Sequence, residues 1–422
     1  MSVISVIGAQ SGDEGKGRIV DYIAQNCQVA IRYQGGDNAG HTVVNDKGKF
    51  GLHIIPSGIF NPNTINIVDA GAVVNFDRMH DELSNLEAKG VDTRNLFIDT
   101  RAHLIMPYHK ALDGAEENKR SSSQKIGTTK CGIGPCYSDK SARSGLRAGD
   151  LLDPDWLKTR LEMVLPLKNR ELEYYGLPTY TLEELLKKCA DWKAEFGNRI
   201  KDTLPIVRKA VRENKNVLLE GQLGIARDLD WGIYPYTTSS NPTAGGACTG
   251  AGIAPNRINE VIGVAKAYST CVGGGPYPTE LFDEDGEKLR RIGGEFGVTT
   301  GRPRRCGWFD AVAVEFGAWV NGFTAIALTK LDVLDTFKTI KVCVAYEIDG
   351  KRVTELPDTQ GQAKAKPIYE EFEGWNCDIT SCRKWEELPK KAQEYVLALE
   401  KLSGAPIKYV SVGPERNQII IR

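Results

Sequence analysis

The chain has 422 residues, and its 54 lysine and arginine residues against 55 aspartate and glutamate residues give a formal net charge of −1. This balance, with no basic run, argues against nucleic acid or an anionic membrane as the main partner. No apolar run approaches the roughly 20 residues of a transmembrane helix, and the N-terminus lacks a recognisable signal sequence. The ten cysteines are expected to be reduced thiols, which fits a cytoplasmic protein.

Strand-like apolar runs alternate with helical patterns along most of the chain. The predicted strands cover 3–7, 29–33, 65–68, 96–98, 217–219, 325–329, 341–346 and 407–412. The predicted helices include 77–89, 157–172, 181–198, 201–214 and 387–402. Strands separated by helices favour the α/β class, with a large, mostly parallel central sheet flanked by helices. We expect 155–214 to be a helix-rich insertion and, without linkers or repeats, one elaborated domain over 1–422.

The first predicted strand leads into the sequence GAQSGDEGKG at residues 8–17. A strand, a glycine-rich turn and a helix form a phosphate cradle, because the free N–H groups of the helix start point at the anion. The regular P-loop pattern is broken here. Gln10 stands where its first glycine belongs, and Gly17 stands where Ser or Thr would bind magnesium. Lys16 is still expected to contact a phosphoryl group, so we predict a P-loop-like nucleotide site.

Asp13 lies inside this loop, where a carboxylate would repel phosphate. It could serve as a magnesium ligand in place of the missing hydroxyl, so that the ion cancels the charge conflict. It could also act as a general base on a substrate beside the phosphate, or simply cap the following helix. The residues alone leave these roles open.

Other loops carry side chains suited to nucleotide chemistry. His41, in NAGHT, could stabilise charge on a phosphoryl oxygen. Asp332, in TKLD at a strand end, could accept hydrogen bonds from N1–H and the 2-amino group of guanine, a donor pair that adenine lacks. The stem of Lys330 could cover the base. Arg302 and Arg304, in TTGRPRR, belong to a predicted anion site.

Seven segments occur in an order and spacing that resemble the adenylosuccinate synthetase family: GDEGKG, NAGHT, IGTT with GIGP, ARSGLRAGD, YPYTTSSN, TTGRPR and TKLD. The resemblance runs from Val3 to Pro414. It implies an enzyme that uses GTP and Mg²⁺ to phosphorylate the 6-oxygen of IMP and then lets the amine of L-aspartate displace that phosphate. The products would be adenylosuccinate, GDP and phosphate.

The resemblance also implies roles for individual residues. Asp13 would remove the N1 proton of IMP and hold magnesium together with the carbonyl of Gly40, while His41 would support the transferring phosphoryl group. The GTP site would comprise Gly12, Gly15, Lys16, Gly17, Thr42, Arg304, Lys330, Asp332, Ser411 and Gly413. IMP would contact Asp13, Lys16, Asn38, His41, Thr129, Arg143, Leu223, Thr238 and Arg302, and aspartate would contact Thr299, Thr300 and Arg302. Arg143 would reach across from a second subunit, which implies a homodimer.

Four positions depart from the usual family pattern. Ser11 replaces a common Trp, Asp37 a His or Asn, and Cys131 the usual Arg before GIGP. The family's E-G-A-Q-G is E-G-Q-L-G here, so Leu223 takes the place of a glutamine that contacts the purine, with Gln222 next to it. We expect IMP still to be the acceptor, but to bind more weakly than in relatives with the glutamine.

Two alternative functions stay open. A family variant that acts on dGMP or GMP would make a 2-aminoadenine nucleotide precursor, but Asp13 and the chain length favour IMP. A GTP-binding switch, which signals rather than makes a product, would need Ser or Thr after Gly-Lys, and Gly17 argues against it.

Overall fold

The computed structural model describes residues 2–45, 47–121, 125–297 and 301–422. The strands in chain order are β1 (Val3–Gly8), β2 (Val29–Arg32), β3 (His41–Asn45), β4 (Gly48–Leu52), β5 (Ile65–Val68), β6 (Val73–Val74), β7 (Leu96–Asp99), β8 (His103–Leu104), β9 (Ile200–Lys201), β10 (Val217–Gly224), β11 (Glu260–Lys266), β12 (Ser269–Cys271), β13 (Arg305–Gly307), β14 (Phe309–Asp310), β15 (Ala325–Thr329), β16 (Thr339–Ile348), β17 (Lys351–Val353), β18 (Lys366–Glu373), β19 (Ile407–Ser411) and β20 (Ile419–Ile421). The α-helices are α1 (Lys16–Ala24), α2 (Phe76–Ala88), α3 (Pro107–Lys119), α4 (Ile133–Ala142), α5 (Pro154–Tyr174), α6 (Leu182–Phe196), α7 (Leu204–Arg212), α8 (Ala244–Gly250), α9 (Glu284–Gly293), α10 (Ala311–Asn321), α11 (Thr359–Lys364) and α12 (Lys390–Ser403). Within these described ranges, no helix is both long and apolar enough to span a membrane.

Ten strands form the central sheet in the order β20-β19-β15-β11-β1-β10-β2-β5-β7-β9. Every neighbouring pair is parallel except β19 with β20. Side chains alternate between the two faces of a strand, so successive residues of β10 pack on opposite faces of the sheet. Leu218 packs in one cluster with α1, and Leu219 packs in another with α7. Helices therefore cover both faces, which confirms the predicted α/β class.

Two features of the sheet differ from the sequence prediction. The predicted strand 341–346 is real, but as part of β16 it lies in a separate sheet with β14, β17 and β18. The strand β11 was not predicted, yet it pairs directly with β1 at the centre of the main sheet. Its short apolar run is interrupted by Gly263 and ends in charged residues, so its sequence gives a weak strand signal.

The predicted insertion over 155–214 contains α5, α6 and α7. The α5 helix begins where Asp153 accepts a hydrogen bond from the Trp156 N–H at 3.1 Å, and α6 begins at a capping box of Thr181 and Glu184. The stretch is not wholly helical, because Ile200–Lys201 forms β9 and pairs with β7 at the sheet edge. The last helix therefore starts later than predicted.

The strands that matter for the site run in one direction. β1, β2, β10, β11, β15 and β19 are mutually parallel, so their carboxyl ends meet at one edge of the sheet. The segments GAQSGDEGKG, NAGHT and TKLD lie at or after the ends of β1, β2 and β15. Ligands of open α/β sheets bind in the crevice outside this edge, so the fold itself predicts where the site lies.

The packing of α12 against the sheet generates a matched stability test. Leu399 is fully buried in the large core cluster, whereas Leu397, on the same helix, is 44% exposed. We expect Leu399→Ala to lower the free energy of unfolding by about 2–5 kcal/mol, because it leaves a cavity, and Leu397→Ala to change it by less than about 1 kcal/mol. Urea unfolding followed by circular dichroism measures both values, and equal losses would contradict the placement of α12.

Candidate active site

The loop between β1 and α1 is shaped by a buried carboxylate. Glu14 accepts hydrogen bonds from the N–H groups of Gln10 at 3.1 Å and Gly12 at 2.7 Å. The same carboxylate lies 2.5 Å from the Lys16 ammonium. Because Glu14 and Lys16 are both buried, this pair fixes the loop from inside and holds the lysine at the start of α1.

The structure explains both departures of this loop from the P-loop pattern. Gln10 ties the loop to the end of β11: its Oε1 accepts from the Lys266 N–H at 3.0 Å, and its Nε2 donates to the Tyr268 carbonyl at 3.0 Å. A Cβ on Gly17 would lie only 2.8 Å from the Cβ of His41. A Ser or Thr at residue 17 is therefore excluded by the close approach of His41.

Asp13 is held in a strained backbone conformation beside a group of cations. Its φ is 60°, in the left-handed region, and its side chain is 29% exposed. The Asp13 Oδ2 and Arg304 Nε atoms are 2.9 Å apart, close enough for an ion pair although the Nε–H is not aligned as a hydrogen bond. Arg304 also contacts buried Glu295 at 2.7 Å. Burial opposes ionisation of Glu295, but the charges of Lys266 and its neighbours outweigh it and lower the pKa of Glu295 to about 2.

His41 is buried and bonded to a second buried carboxylate. Its Nδ1 lies 2.6 Å from Oε1 of Glu220, which also accepts the Ser57 hydroxyl at 2.8 Å. Burial opposes ionisation of Glu220, but the hydrogen bond from His41 and the charge of Arg32 hold its pKa below the ordinary value. Burial lowers the pKa of His41, more than Glu220 raises it. The imidazole is therefore neutral near pH 7, with its proton on Nδ1 and its Nε2 free to meet a ligand.

The far side of the cleft is built from the ends of β15 and β19. The Thr329 hydroxyl donates to the Glu14 carbonyl at 2.5 Å, which joins β15 to the phosphate loop. Lys330 has a φ of 63° and donates to the Gly293 carbonyl at 2.6 Å. Burial raises the pKa of Asp332, although Lys330 and other cations oppose the shift. Asp332 thus lies at the strand end that the TKLD segment predicts.

These loops surround one cleft of about 1720 Å³. The predicted site residues that line it are Gly12, Asp13, Gly15, Lys16, Gly17, Asn38, Gly40, His41, Thr42, Thr129, Leu223, Thr238, Arg304, Lys330, Asp332, Ser411 and Gly413. Arg143 and Arg302 are exposed and are not among the lining residues in the described part of the chain. Thr299 and Thr300, expected to bind aspartate, lie outside the described residues.

The four positions that depart from the family pattern have different surroundings. Ser11 and Leu223 line the cleft, and Leu223 has a φ of 61°. Asp37 is buried and accepts a hydrogen bond from the Asn75 amide at 2.7 Å. Cys131 is half-buried beside the carbonyl of Thr129, 3.6 Å from its sulfur.

Sequence reasoning missed some residues that organise this site. Arg18, next to the phosphate loop, donates to the Ser411 hydroxyl and to the carbonyls of Gly413, Glu415 and Gln418. A cation in the first turn of the helix was a visible signal, but partners about 400 residues away were not. Glu14 and Glu220 were visible as acids within motifs, and nothing in the sequence indicated their bonding partners.

The donor set of the cleft fits a magnesium ion that is bound mainly through nucleotide phosphates. Asp13, which carries a carboxylate, and Gly40 both line this cleft. Among residues 2–45, 47–121, 125–297 and 301–422, no group of three or more His, Cys, Asp or Glu side chains could hold a metal ion by itself. Mg²⁺ commonly uses one or two carboxylates, substrate phosphates and water, and hard oxygen donors suit it.

The family relationship is shown by sequence comparison. A family model described as adenylosuccinate synthetase matches residues 5–420. The adenylosuccinate synthetase of Mycobacterium marinum is 51% identical over 425 residues, covering 100% of this chain and 98% of its own length. That of Saccharopolyspora erythraea is 52% identical and covers 100% of this chain and 99% of its own.

Solved structures agree with this relationship. The fully ligated adenylosuccinate synthetase from Plasmodium falciparum has a TM-score of 0.94 and 36% identity, with 100% of both chains covered. The succinoaminodeoxyadenylate synthetase of cyanophage S-2L, bound to dGMP and dATP, has a TM-score of 0.64 and 17% identity, covering 100% of this chain and 95% of its own, and so shares the fold alone. The chain described here therefore belongs to the adenylosuccinate synthetase family, as its sequence, its fold and the order of residues around its cleft show.

Proposed function

We propose that this chain uses GTP to join L-aspartate to IMP, giving adenylosuccinate, GDP and phosphate through a 6-phosphoryl-IMP intermediate. The observation that carries the proposal is the position of Asp13, a carboxylate inside a phosphate loop, in the same cleft as His41 and Lys16. GTP binding alone does not require an acid at this position. An enzyme that must remove a proton beside the γ-phosphate does.

Asp13 has the role of the base. It takes the N1 proton of IMP, which turns the 6-oxygen into a nucleophile toward the γ-phosphate. The Arg304 guanidinium, 2.9 Å away, holds the carboxylate beside the cleft before substrate arrives. The strained φ of 60° keeps Asp13 projecting from the loop rather than folded back as a cap of α1.

His41 and Lys16 have the role of stabilising the transferring phosphoryl group. A neutral imidazole whose Nδ1 is held by Glu220 offers Nε2 to a phosphate oxygen or its proton. Lys16 brings a point charge to the start of α1, where the helix N–H groups also favour an anion. Asp13 and Gly40 would hold Mg²⁺, whose charge offsets that of the phosphates and the loop carboxylate.

Asp332 has the role of recognising the guanine base. Lys330 lies beside it, and Ser411 and Gly413, also assigned to the GTP site, lie at the end of the neighbouring strand. All four line the cleft, at or just after the ends of the paired strands β15 and β19. A partly buried carboxylate can accept from both N1–H and the 2-amino group, so its position supports GTP over ATP. Thr129, Thr238, Asn38 and Leu223 are assigned to IMP, and Thr299, Thr300 and Arg302 to aspartate, on the family resemblance.

A homodimer completes the proposed site. Arg143, assigned to the phosphate of IMP in the neighbouring subunit, is exposed at the end of α4, and Arg160 of α5 donates to its carbonyl at 3.3 Å. The adjoining α5 helix leaves a stripe of large apolar side chains half or more exposed: Trp156, Met163, Leu167 and Tyr174. Such a stripe supports a subunit contact beside Arg143.

We place the enzyme in the cytosol, as a single elaborated domain, on the sequence arguments alone.

The dGMP-directed variant is the second candidate. Leu223, in place of the purine-binding glutamine, is the observation that favours it, because it changes the wall that the base would meet. Phosphate release, measured with IMP, GMP or dGMP as the acceptor in the presence of GTP and aspartate, distinguishes the two candidates. Preference for GMP or dGMP would replace the IMP proposal.

The first prediction from the proposed function concerns Asp13→Asn. This change keeps the shape of the side chain and removes the base, so we expect turnover to fall by about 10²–10⁴-fold while GTP still binds at high magnesium. Steady-state phosphate release and GTP calorimetry measure the two effects. The matched control is Asp191→Asn, an exposed position on α6 that should keep full activity. A variant at Asp13 that retains a tenth of the normal rate rules out the base role.

The second prediction concerns Asp332→Asn. The amide offers a donor to the 2-oxo group of xanthine, where the carboxylate only accepts, so KM should rise for GTP and fall for XTP. The ratio of kcat/KM values for the two nucleotides is the measurement. Asp349→Asn, in an exposed hairpin turn, is the control and should leave that ratio unchanged. The same GTP preference in both variants would place guanine recognition elsewhere.

The third prediction tests the shared site. Arg143→Leu and Asp13→Asn proteins should each be nearly inactive, but after subunit exchange a mixed dimer has one site with both residues intact. We therefore expect activity to recover toward about a quarter of the wild-type value per subunit if exchange is statistical. Two separately prepared batches of Arg143→Leu, mixed in the same way, should recover nothing. Exchange shown by mass spectrometry without recovered activity would place Arg143 in its own subunit's site.

A further inference from the structure

A chain of buried polar side chains links β2 to the loop that carries Asn38. Arg32 and Gln222 are both fully buried, on the neighbouring strands β2 and β10. The Arg32 guanidinium donates to the Gln222 Oε1. The Gln222 Nε2 lies 2.9 Å from the Asn38 Oδ1, and Asn38 lines the cleft. The chain Arg32–Gln222–Asn38 therefore runs from the sheet interior to the active site.

The orientation of each side-chain amide in the series Arg32–Gln222–Asn38 is fixed by the hydrogen-bonding partner that precedes it. A guanidinium can only donate, so the oxygen of the Gln222 amide must face Arg32 and its NH₂ must face Asn38. An NH₂ can only donate in turn, so Asn38 must present its oxygen to Gln222. The Gly36 N–H, 3.4 Å from the same Asn38 oxygen, requires the same orientation. The Asn38 NH₂ group is thereby the part left to meet a ligand.

The side chain of Gln222 is itself locked and does not line the cleft in the described residues. Its backbone carbonyl accepts from the Gln34 amide at 2.7 Å. Gly35 has a φ of 73°, and a Cβ there would lie 1.3 Å from the Gln222 Nε2. The glutamine amide thus fills the space above a bare glycine backbone, and rotating it toward the cleft would break its bonds to Arg32 and Asn38.

We propose that Gln222 is a positioning residue that sets the direction of the Asn38 amide, so that Asn38 recognises a hydrogen-bond acceptor oxygen of the bound nucleotide and disfavours a donor at that point. This inference rests on the proposed function, because it takes Asn38 to contact IMP. Gln222 thus affects the binding of the acceptor nucleotide without contacting the nucleotide. The glutamine displaced by one position in E-G-Q-L-G therefore acts through Asn38, and it does not supply the direct hydrogen bond to the purine that the Leu223 side chain is unable to make.

The test is a double-mutant cycle between Gln222 and Asn38. Gln222→Met keeps the length of the side chain and removes both hydrogen bonds, so we expect IMP binding, measured by calorimetry, to weaken about three- to tenfold. In the Asn38→Ala background the same change should weaken IMP binding less than about twofold, because no amide is left to orient. GTP binding should stay within about twofold in all four proteins.

Gln222→Glu is the second variant, because it keeps an acceptor for Arg32 and replaces the donor to Asn38 by an acceptor oxygen. It should also weaken IMP binding, and also only when Asn38 is present. Gln393→Met is the matched control: this glutamine, on α12, donates to the carbonyls of Trp385 and Leu388 and should leave IMP binding unchanged.

The outcomes separate this proposal from the proposed function. Wild-type protein that binds IMP but releases no phosphate with GTP and aspartate contradicts the proposed function, while the binding cycle can still be read. Equal effects of Gln222→Met with and without the Asn38 side chain, or an equal loss of GTP binding, overturn the positioning role and leave Gln222 as a packing residue. Wild-type protein that does not bind IMP contradicts both.

Discussion

The site depends on one steric contact, the approach of His41 to the first turn of α1. A Cβ at Gly17 would lie 2.8 Å from the Cβ of His41, so the helix start must carry a bare backbone at this point. The contact brings the loop after β2 against the loop after β1. It also removes the hydroxyl that an ordinary P-loop supplies to magnesium. The missing hydroxyl and the nearby histidine are therefore two results of the same constraint, and the proposed function gives Asp13 the role of the oxygen ligand in the hydroxyl's place.

Two buried carboxylates support side chains that line the cleft. Glu220 holds His41, and Glu295 holds Arg304, which in turn lies beside Asp13. A buried charge is costly unless it is paired and hydrogen-bonded, and both acids meet this condition: Glu220 lies beside Arg32 of β2, and Glu295 binds Lys266 of β11. Because each acid is fixed by the central sheet, the groups that would touch substrate are supported from behind rather than left on free loops. This is the arrangement that preorganised catalysis requires.

The parts of the fold that could be predicted are those with strong local signals. β1, β2, β5 and β15 are short, mostly apolar stretches and were predicted close to their observed ends, whereas β11 was missed because it contains Gly263 and is flanked by Glu260 and Lys266. The pattern of β16 identified a strand, but periodicity does not specify a partner, and this strand joins another sheet. The phosphate loop, His41 and Asp332 carry their signals within a few residues. Arg18 and Gln222 do not, because their roles come from partners that only the folded sheet brings near.

The contacts between Arg18 and residues 411–418 limit how early the site can form during protein synthesis. The phosphate loop begins at residue 8, but β1 acquires its neighbours only when β10 and β11 exist, and Arg18 meets its partners only when residues 411–418 exist. Contacts so distant along the chain close large loops and form slowly. During synthesis β1 therefore stays unpaired until β10 and β11 have left the ribosome, and Arg18 stays without its partners until residues 411–418 have followed. The cleft that these residues line is therefore incomplete in any nascent chain that lacks residues 411–415.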